Sequence, residues 1–447
     1  MMEGAAVFVS GRSEHIGTWS VITSMIESIV NFSLCRVCSA EERKLVEIAM
    51  RGIRMPEPDF TVDIESKNPV EKVGEAIYGV AEFLYREKPV ISLGCGGSDS
   101  MLACALASIE MGIPFAHIAS GMRSFTEDRK DRIYKAIDSV SSLRFVSSER
   151  AALNLLYEGV NPKSIYVVGS TFVDAALRFR EEALARDRVI RQIGVKPGEL
   201  LVSVIVQSRE IVERVSKLAI VFMGVTELEE AMVAIVVHPR LLRIMERLDW
   251  ITKLKKRKNV VLLKTLEYLD YLSLVSRSNL VITDSEVVQE EALALRVPCV
   301  TVSPSTNRVE TVLAGANVVA GLDSDRITRI CKEILLDPLK AEQMVNVENP
   351  YGDGRAGERI TSIIKNVIDQ GLKIERMIVE KPLFKMVRVN GKLEGLTPRD
   401  IREKGVIVTL IYNENGEPRF PFEEEPLKAG ETIRVLGDKE RIDKLEG

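Results

Sequence analysis

The stretch PVISLGCGGSDSMLACALASIEMGIPFAHIASG, residues 89–121, decides the fold class. PVISLGCGGSDS (89–100) reads as an apolar strand running into a Gly-rich turn, and MLACALASIEMG (101–112) as a helix closed by Gly112. IPFAHIASG (113–121) is the next strand. Apolar strands without polar alternation, joined through a helix, pair in parallel and are covered on both faces. Working outward, AAVFVSG (5–11) is a further buried strand entering a loop, and a helical pattern runs from Gly17 to Ile29.

The pattern restarts after a charged helix around Phe179 to Gln192. ELLVSVIV (199–206), AMVAIVVH (231–238), NVVLL (259–263), NLVIT (279–283) and PCVTV (298–302) are strands with helical segments between most of them. The expected fold is therefore α/β, with two Rossmann-like domains at residues 1–178 and 179–372. The second ends in the return helix ERITSIIKNVIDQG (358–371), and a ligand cleft is expected between the domains at the carboxyl ends of the strands. Residues 373–447 change character: RMIVEKPL, VRVNGKL, VIVTLIYNENG and ETIRVLG read as strands around a short helix TPRDIREKG. They are expected to form a separate small α+β domain, with turn signals at Asn390-Gly391 and Asn415-Gly416. Leu396, Ile401, Val406, Val408, Leu410, Ile433, Val435 and Leu445 can make its apolar centre.

The totals bound the function. A chain of 447 residues exceeds one compact core, and 46% apolar with 28% charged residues is ordinary globular composition. A formal net charge of -4 gives no footprint for wrapping nucleic acid. No apolar run approaches the roughly 20 residues of a spanning helix, and the start lacks a signal pattern, so a cytoplasmic protein is expected. The six cysteines, Cys35, Cys38, Cys95, Cys104, Cys299 and Cys331, are scattered and read as buried hydrophobes. The CRVC pair Cys35/Cys38 has no second pair or His cluster to complete a metal site.

An ordered set of segments carries a resemblance. IPFAHIASGMRSF (113–125), LNLLYEGV (153–160), IYVVGSTFVDA (165–175), VHPR (237–240), LVITDSEVVQEEALALRVPCVTV (280–302), TNRVETVLAG (306–315) and NPYGDGRAGERI (349–360) together resemble the non-hydrolysing UDP-N-acetylglucosamine 2-epimerases from about residue 5 to residue 370. The resemblance implies a glycosyltransferase-B type architecture and a reaction at C2 of a UDP-sugar: UDP is eliminated to a 2-acetamidoglucal and added back, giving the manno epimer. It implies no cofactor and no metal. Such chemistry needs carboxylates for proton transfer and donors for the departing diphosphate.

Several family positions are altered. H-G-D-T is represented by Cys95-Gly96-Gly97-Ser98, so the expected Asp falls on Gly97. H-V-E-A-G is represented by His117-Ile118-Ala119-Ser120-Gly121, which puts Ala119 at the expected Glu. P-E-E-x-N-R corresponds to EDRKDR (127–132), whose Glu127, Asp128 and Asp131 are the candidate substitutes, although as plain solvated charges they need no catalytic role. H-R-R-E reads Gln207-Ser208-Arg209-Glu210. D-S-G-G, whose small residues admit phosphate to a helix start, reads Asp284-Ser285-Glu286-Val287, with a negative charge at Glu286. Positions implied as ligand-binding survive at Arg12, Glu14, His238, Ser285, Glu291, Arg308 and Glu310. For these a scaffold role stays open: Arg308 with Glu310 or Glu291 as an internal ion pair, His238 as a strand-end cap. His15 and His117 are expected to be structural.

The C-terminal stretch GLTPRDIREKG through DKERIDKLEG resembles the TrkA-C domain of regulators of potassium conductance. That resemblance implies pairing with a second copy, hence a homodimer, and a small effector at this domain. The favoured function is a ligand-sensing or regulatory protein on an epimerase scaffold with degenerate sites, its ligand a UDP-sugar or other nucleotide. The alternatives are a divergent active UDP-HexNAc 2-epimerase and a regulatory subunit linked to cation transport.

Overall fold

The computed structural model describes residues 4–126, 128–372, 379 and 381–446. The first sheet contains β1 (Ala5–Val9), β2 (Phe32–Ser39), β3 (Phe60–Ile64), β4 (Ile91–Cys95), β5 (Phe115–Ser120), β6 (Leu143–Val146) and β7 (Ile165–Val167), ordered β3-β2-β1-β4-β5-β6-β7. Its strands are parallel: Phe8 of β1 registers with Cys35 of β2 on one side and Gly94 of β4 on the other. β1, β4 and β5 are buried along their whole length, as strands covered on both faces must be. The chain winds outward from β1 to β3, then returns across to β4, so the order reverses between β1 and β4.

The second sheet contains β8 (Leu200–Ile205), β9 (Ala231–Val237), β10 (Val260–Lys264), β11 (Leu280–Thr283), β12 (Cys299–Thr301) and β13 (Asn317–Val319), ordered β10-β9-β8-β11-β12-β13. It is also parallel and reverses between β8 and β11. Two doubly wound sheets give the expected α/β class.

The helices that carry the argument are α1 (Arg12–Glu27), α2 (Asp99–Glu110), α3 (Arg129–Val140), α4 (Glu149–Tyr157), α5 (Pro239–Arg247), α6 (Glu286–Ala294) and α7 (Ala356–Gln370). Contacts group residues 1–44, 55–175 and 351–447 into one unit, and 45–54 with 176–350 into another. The return helix α7 lies in the first unit, along α1. At Gly357 a Cβ would stand 2.6 Å from the Ser20 backbone, so a side chain there would force the helices apart. Asp174 holds the start of α7 by accepting from Ala356 N at 3.1 Å and Gly357 N at 2.8 Å.

The C-terminal sheet is antiparallel, β14 (Pro382–Arg388), β17 (Thr432–Asp438), β15 (Ile407–Tyr412) and β16 (Pro418–Arg419) in spatial order. Asn415-Gly416 lies in the turn joining β15 to β16, whereas Asn390-Gly391 makes no hairpin, because β14 pairs with β17. Half of the expected strand RMIVEKPL (376–383) lies outside the described residues, and its end, Pro382 and Leu383, opens β14. Ile401, Val406, Val408, Ile433, Val435 and Leu445 form the small core, with Leu396 at its edge. Leu410 does not join it: a register slip between Val408 and Leu410 turns Leu410 to the other face. There it packs with Ile407, Phe420 and Leu436 against Val146 and Val167 of the doubly wound sheet and Leu155 of α4. Arg402 reinforces this seam, with its guanidinium 3.9 Å from the Tyr166 ring centroid and bonds to Lys163 O at 2.8 Å and Glu423 at 2.6 Å.

The cysteine pair resolves geometrically. Cys35 and Cys38 are buried in β2 at an odd offset, so their side chains leave opposite faces of the sheet.

Burial pushes the Asp174 carboxyl up to about 6, against the pull of the Gly357 and Ala356 amides. A carboxyl raised on folding costs stability when ionised, so stability is recovered as pH falls through about 6 toward its unfolded value. Between pH 7 and pH 5 the wild type should gain on the order of 1 kcal/mol relative to Asp174→Asn. Denaturant unfolding of both proteins at the two pH values measures this.

Candidate functional site

In doubly wound sheets ligands bind beyond the carboxyl ends of the strands, where the order reverses. In the first unit that place lies between the loop Ser10–Gly11, which feeds α1, and the turn Gly96–Ser98, which feeds α2. Glu14, in the first turn of α1, hydrogen-bonds the Ser98 side chain and so reaches across the reversal. The Ser98 hydroxyl also caps α2, accepting from Met101 N at 3.2 Å. Glu14 is half-buried, and desolvation raises its carboxyl above the usual range despite the backbone and Ser98 bonds. Arg12 is half-buried at the start of the same helix.

Gly97 has no room for a side chain. A Cβ there would stand 2.5 Å from Cδ2 and Cε2 of Tyr134, a buried ring of α3. Ala119, one residue before the end of β5, has φ +62°, where the register against β6 slips between Ile118 and Ser120. That left-handed conformation costs a non-glycine residue roughly 1–2 kcal/mol.

Beneath this loop sits a network the sequence did not reveal. Asp138 of α3 accepts from His117 Nδ1 at 2.6 Å, Gly121 N at 3.1 Å, Arg123 Nη2 at 2.8 Å and the Ser120 hydroxyl. Burial alone would raise its carboxyl, but His117, Arg123 and Ser120 hold it down to about 2. His117 also places Nε2 at 3.0 Å from Gly96 O, tying β5 to the turn after β4, which is the structural role expected of it.

Among the candidate carboxylates, Glu127 lies outside the described residues. Asp128 is the N-cap of α3, accepting from Asp131 N at 2.9 Å and Thr126 Oγ1 at 3.0 Å, so its oxygens are spent on local structure. Asp131 is not a solvated surface charge. It is 2% exposed, one oxygen accepts from Ser124 N and Oγ at 2.9 and 2.8 Å, and Oδ2 is buried with no hydrogen-bond partner. It lies one helical turn before Tyr134, on the same buried face of α3.

In the second unit the reversal lies between the ends of β8 and β11. Asp284 crosses it, accepting from Gln207 N at 2.8 Å, Ser208 N at 3.0 Å and Ser208 Oγ at 2.6 Å. Burial raises its carboxyl above the ordinary value. Ser285 gives its amide to Thr283 Oγ1 at 2.9 Å and precedes α6 without a side-chain cap. Glu286 opens α6, with its carboxylate 3.7 Å from Arg308 Nη1. Arg308 is 1% exposed, pairs through Nε with Glu290 and donates to Asn307 Oδ1 at 2.8 Å. The internal ion pair expected of Arg308 therefore forms with Glu290 and Glu286.

Glu291 is buried and accepts from Tyr268 at 2.8 Å and Tyr271 at 2.5 Å. Glu310 is buried on the helix Val309–Leu313. His238 is the N-cap of α5, its Nδ1 accepting from Leu241 N at 3.4 Å. Its Nε2 is buried without a hydrogen bond, and burial with Arg240 nearby lowers the ring to about 4, so it is neutral at pH 7. Tyr268, Tyr271 and Glu290 were missed in the sequence; the only signal was an apolar helix with two hydroxyl-bearing rings three residues apart. Among the described residues no group of three or more His, Cys, Asp or Glu is placed to hold a metal ion.

The fold and these two crossings define a two-unit protein of glycosyltransferase-B type. A family model described as UDP-N-acetylglucosamine 2-epimerase matches residues 26–365, and the chain belongs to that family. It is 28% identical over 361 residues to the UDP-N-acetylglucosamine 2-epimerase of Methanocaldococcus jannaschii, covering 79% of this chain and 96% of the relative. It is 30% identical over 323 residues to the UDP-2,3-diacetamido-2,3-dideoxy-D-glucuronate 2-epimerase of Pseudomonas aeruginosa, covering 71% and 86%. The crystal structure of the M. jannaschii enzyme in complex with UDP-GlcNAc and UDP superposes with a TM-score of 0.74 at 27% identity, covering 81% of this chain and 99% of that one. The matched family span ends before the C-terminal sheet.

Gly97→Ala should destabilise the protein by about 1–3 kcal/mol through overpacking against Tyr134. The same change in a Tyr134→Leu background should cost much less, and a double-mutant cycle of unfolding free energies measures the difference.

Proposed function

We propose that the chain is a divergent UDP-HexNAc 2-epimerase. The single observation supporting turnover is a carboxylate with raised basicity at the first reversal: Glu14, bonded to Ser98 beside the turn where the usual Asp is replaced by Gly97. The names of the relatives favour the same reading over ligand sensing without chemistry.

In this proposal a carboxylate removes the proton from C2 of the sugar. The C–H electron pair becomes the C1–C2 double bond as the C1–O bond breaks, and UDP leaves with the pair of the C1–O bond. UDP oxygen then re-forms the bond to C1 while a proton is delivered to C2 from the other face. Glu14 is the assigned base. Asp131, with an oxygen left unbonded in a buried position, is the assigned second carboxyl group. Glu14 acts near neutrality only if its ionised and neutral forms are each accessible, which burial favours by raising its carboxyl. His238, Ser285, Glu291, Arg308 and Glu310, all of the second unit, are assigned to the nucleotide.

Binding without turnover keeps one specific observation in its favour. Tyr134 closes the space a carboxylate at position 97 would need, and Ala119 carries only a methyl group.

Incubating the full chain with UDP-GlcNAc in heavy water, with NMR of C2, separates the readings. Deuterium at C2 together with the manno epimer is expected. Glu14→Gln should lower that exchange by about 10²–10⁴-fold with UDP affinity retained. Since the base must be ionised and its carboxyl is raised, the acidic limb of the rate profile should lie above the ordinary carboxylate range. UDP binding with no exchange in the wild type would instead establish the binding-only reading.

A further inference from the structure

The second unit carries its own anion where a ligand's negative charge would bind. A helix that starts at the reversal of a doubly wound sheet presents free N–H groups and the positive end of its dipole. Here that helix is α6, and its first residue is Glu286. The Glu286 side chain is 16% exposed, so it is turned inward rather than swung into water, and it lies 3.7 Å from Arg308 Nη1. Arg308 is also held by Glu290. The facing loop has spent its two donors, Gln207 N and Ser208 N, on Asp284. Val287, the second residue of the helix, carries a branched side chain.

We infer that Glu286 is an internal anion that occupies the α6 N-terminus, shares Arg308 with Glu290, and determines how strongly this crevice takes a diphosphate. The inference takes its ligand, a nucleoside diphosphate, from the epimerase reading above. The crevice gathers three carboxylates, Asp284, Glu286 and Glu290, around one guanidinium. Asp284 is fixed by backbone amides and Glu290 is fully buried against Arg308, which leaves Glu286, at the open edge, as the group a diphosphate must displace. The nucleoside part makes no demand on that position. The contact therefore selects against the diphosphate and leaves recognition of the base and ribose unaltered.

Calorimetric titration of the full chain with UDP, uridine and inorganic pyrophosphate tests this in the wild type, Glu286→Gln and Glu286→Gly. Far-ultraviolet circular dichroism checks that each variant is folded, and the glutamine variant keeps helix propensity should the glycine one fray. Both variants are expected to bind UDP and pyrophosphate about tenfold more tightly than the wild type, with uridine unchanged. UDP and pyrophosphate affinities unchanged or weakened in folded variants would overturn the inference. UDP bound equally by wild type and variants would leave the UDP-sugar reading standing and remove the internal anion. A gain for pyrophosphate with no UDP binding in any variant would keep the internal anion and remove the UDP-sugar reading. No binding of either probe by any variant would overturn both.

Discussion

Where a parallel sheet reverses its strand order, the two neighbouring loops diverge and leave backbone donors facing an open gap. In this protein a carboxylate crosses each gap. Asp284 takes both amides and the hydroxyl offered by Gln207 and Ser208, and Glu14 takes the hydroxyl that caps α2. A buried carboxylate without such bonds would be costly, so these residues and the loops they hold are mutually dependent. The starts of α1, α2 and α6, and with them Arg12, Ser98, Ser285 and Glu286, are positioned by these crossings.

The alterations from the family pattern are physically linked rather than scattered. At Gly97 the Tyr134 ring occupies the volume a side chain would fill. Ala119 keeps a left-handed backbone that its methyl group does not need, and the Asp138 network beneath it holds Ser120 and Gly121 in the conformation that imposes it. In the second unit Arg308 is shared by Glu286 and Glu290 and offsets one of their two negative charges.

The C-terminal sheet is not an appendage on a tether. Leu410, Phe420 and Leu436 share an apolar cluster with Val146, Leu155 and Val167. Arg359 of α7 forms a bidentate pair with Asp353 and lies 5.4 Å and 4.6 Å from the Phe420 and Phe422 ring centroids. The addition therefore grips the NPYGDG turn, a segment within the family match, through stacking that desolvates the guanidinium.

Apolar runs and glycine stops are local and record burial directly, so the α/β class, two Rossmann-like units and a small additional α+β unit were legible in the letters, whereas the antiparallel pairing of the last sheet was not. The sequence also marked Gly97, Ala119 and Glu286 as departures, since a missing or added charge is visible in the letters alone. β13, with three residues, carried too few for periodicity to reveal it, and the edge strand β3 (FTVDI) lacks the unbroken apolar run that marked β1. Only the tertiary structure decided that Asp131 is buried with an unbonded oxygen, that Tyr134 fills the space beside Gly97, that Asp138 gathers His117 and Arg123, and that Arg308 is shared by Glu286 and Glu290. Each of these is a contact between residues distant in the chain or a matter of which face a side chain leaves. Sequence spacing constrains such contacts only after the strands have been ordered and registered.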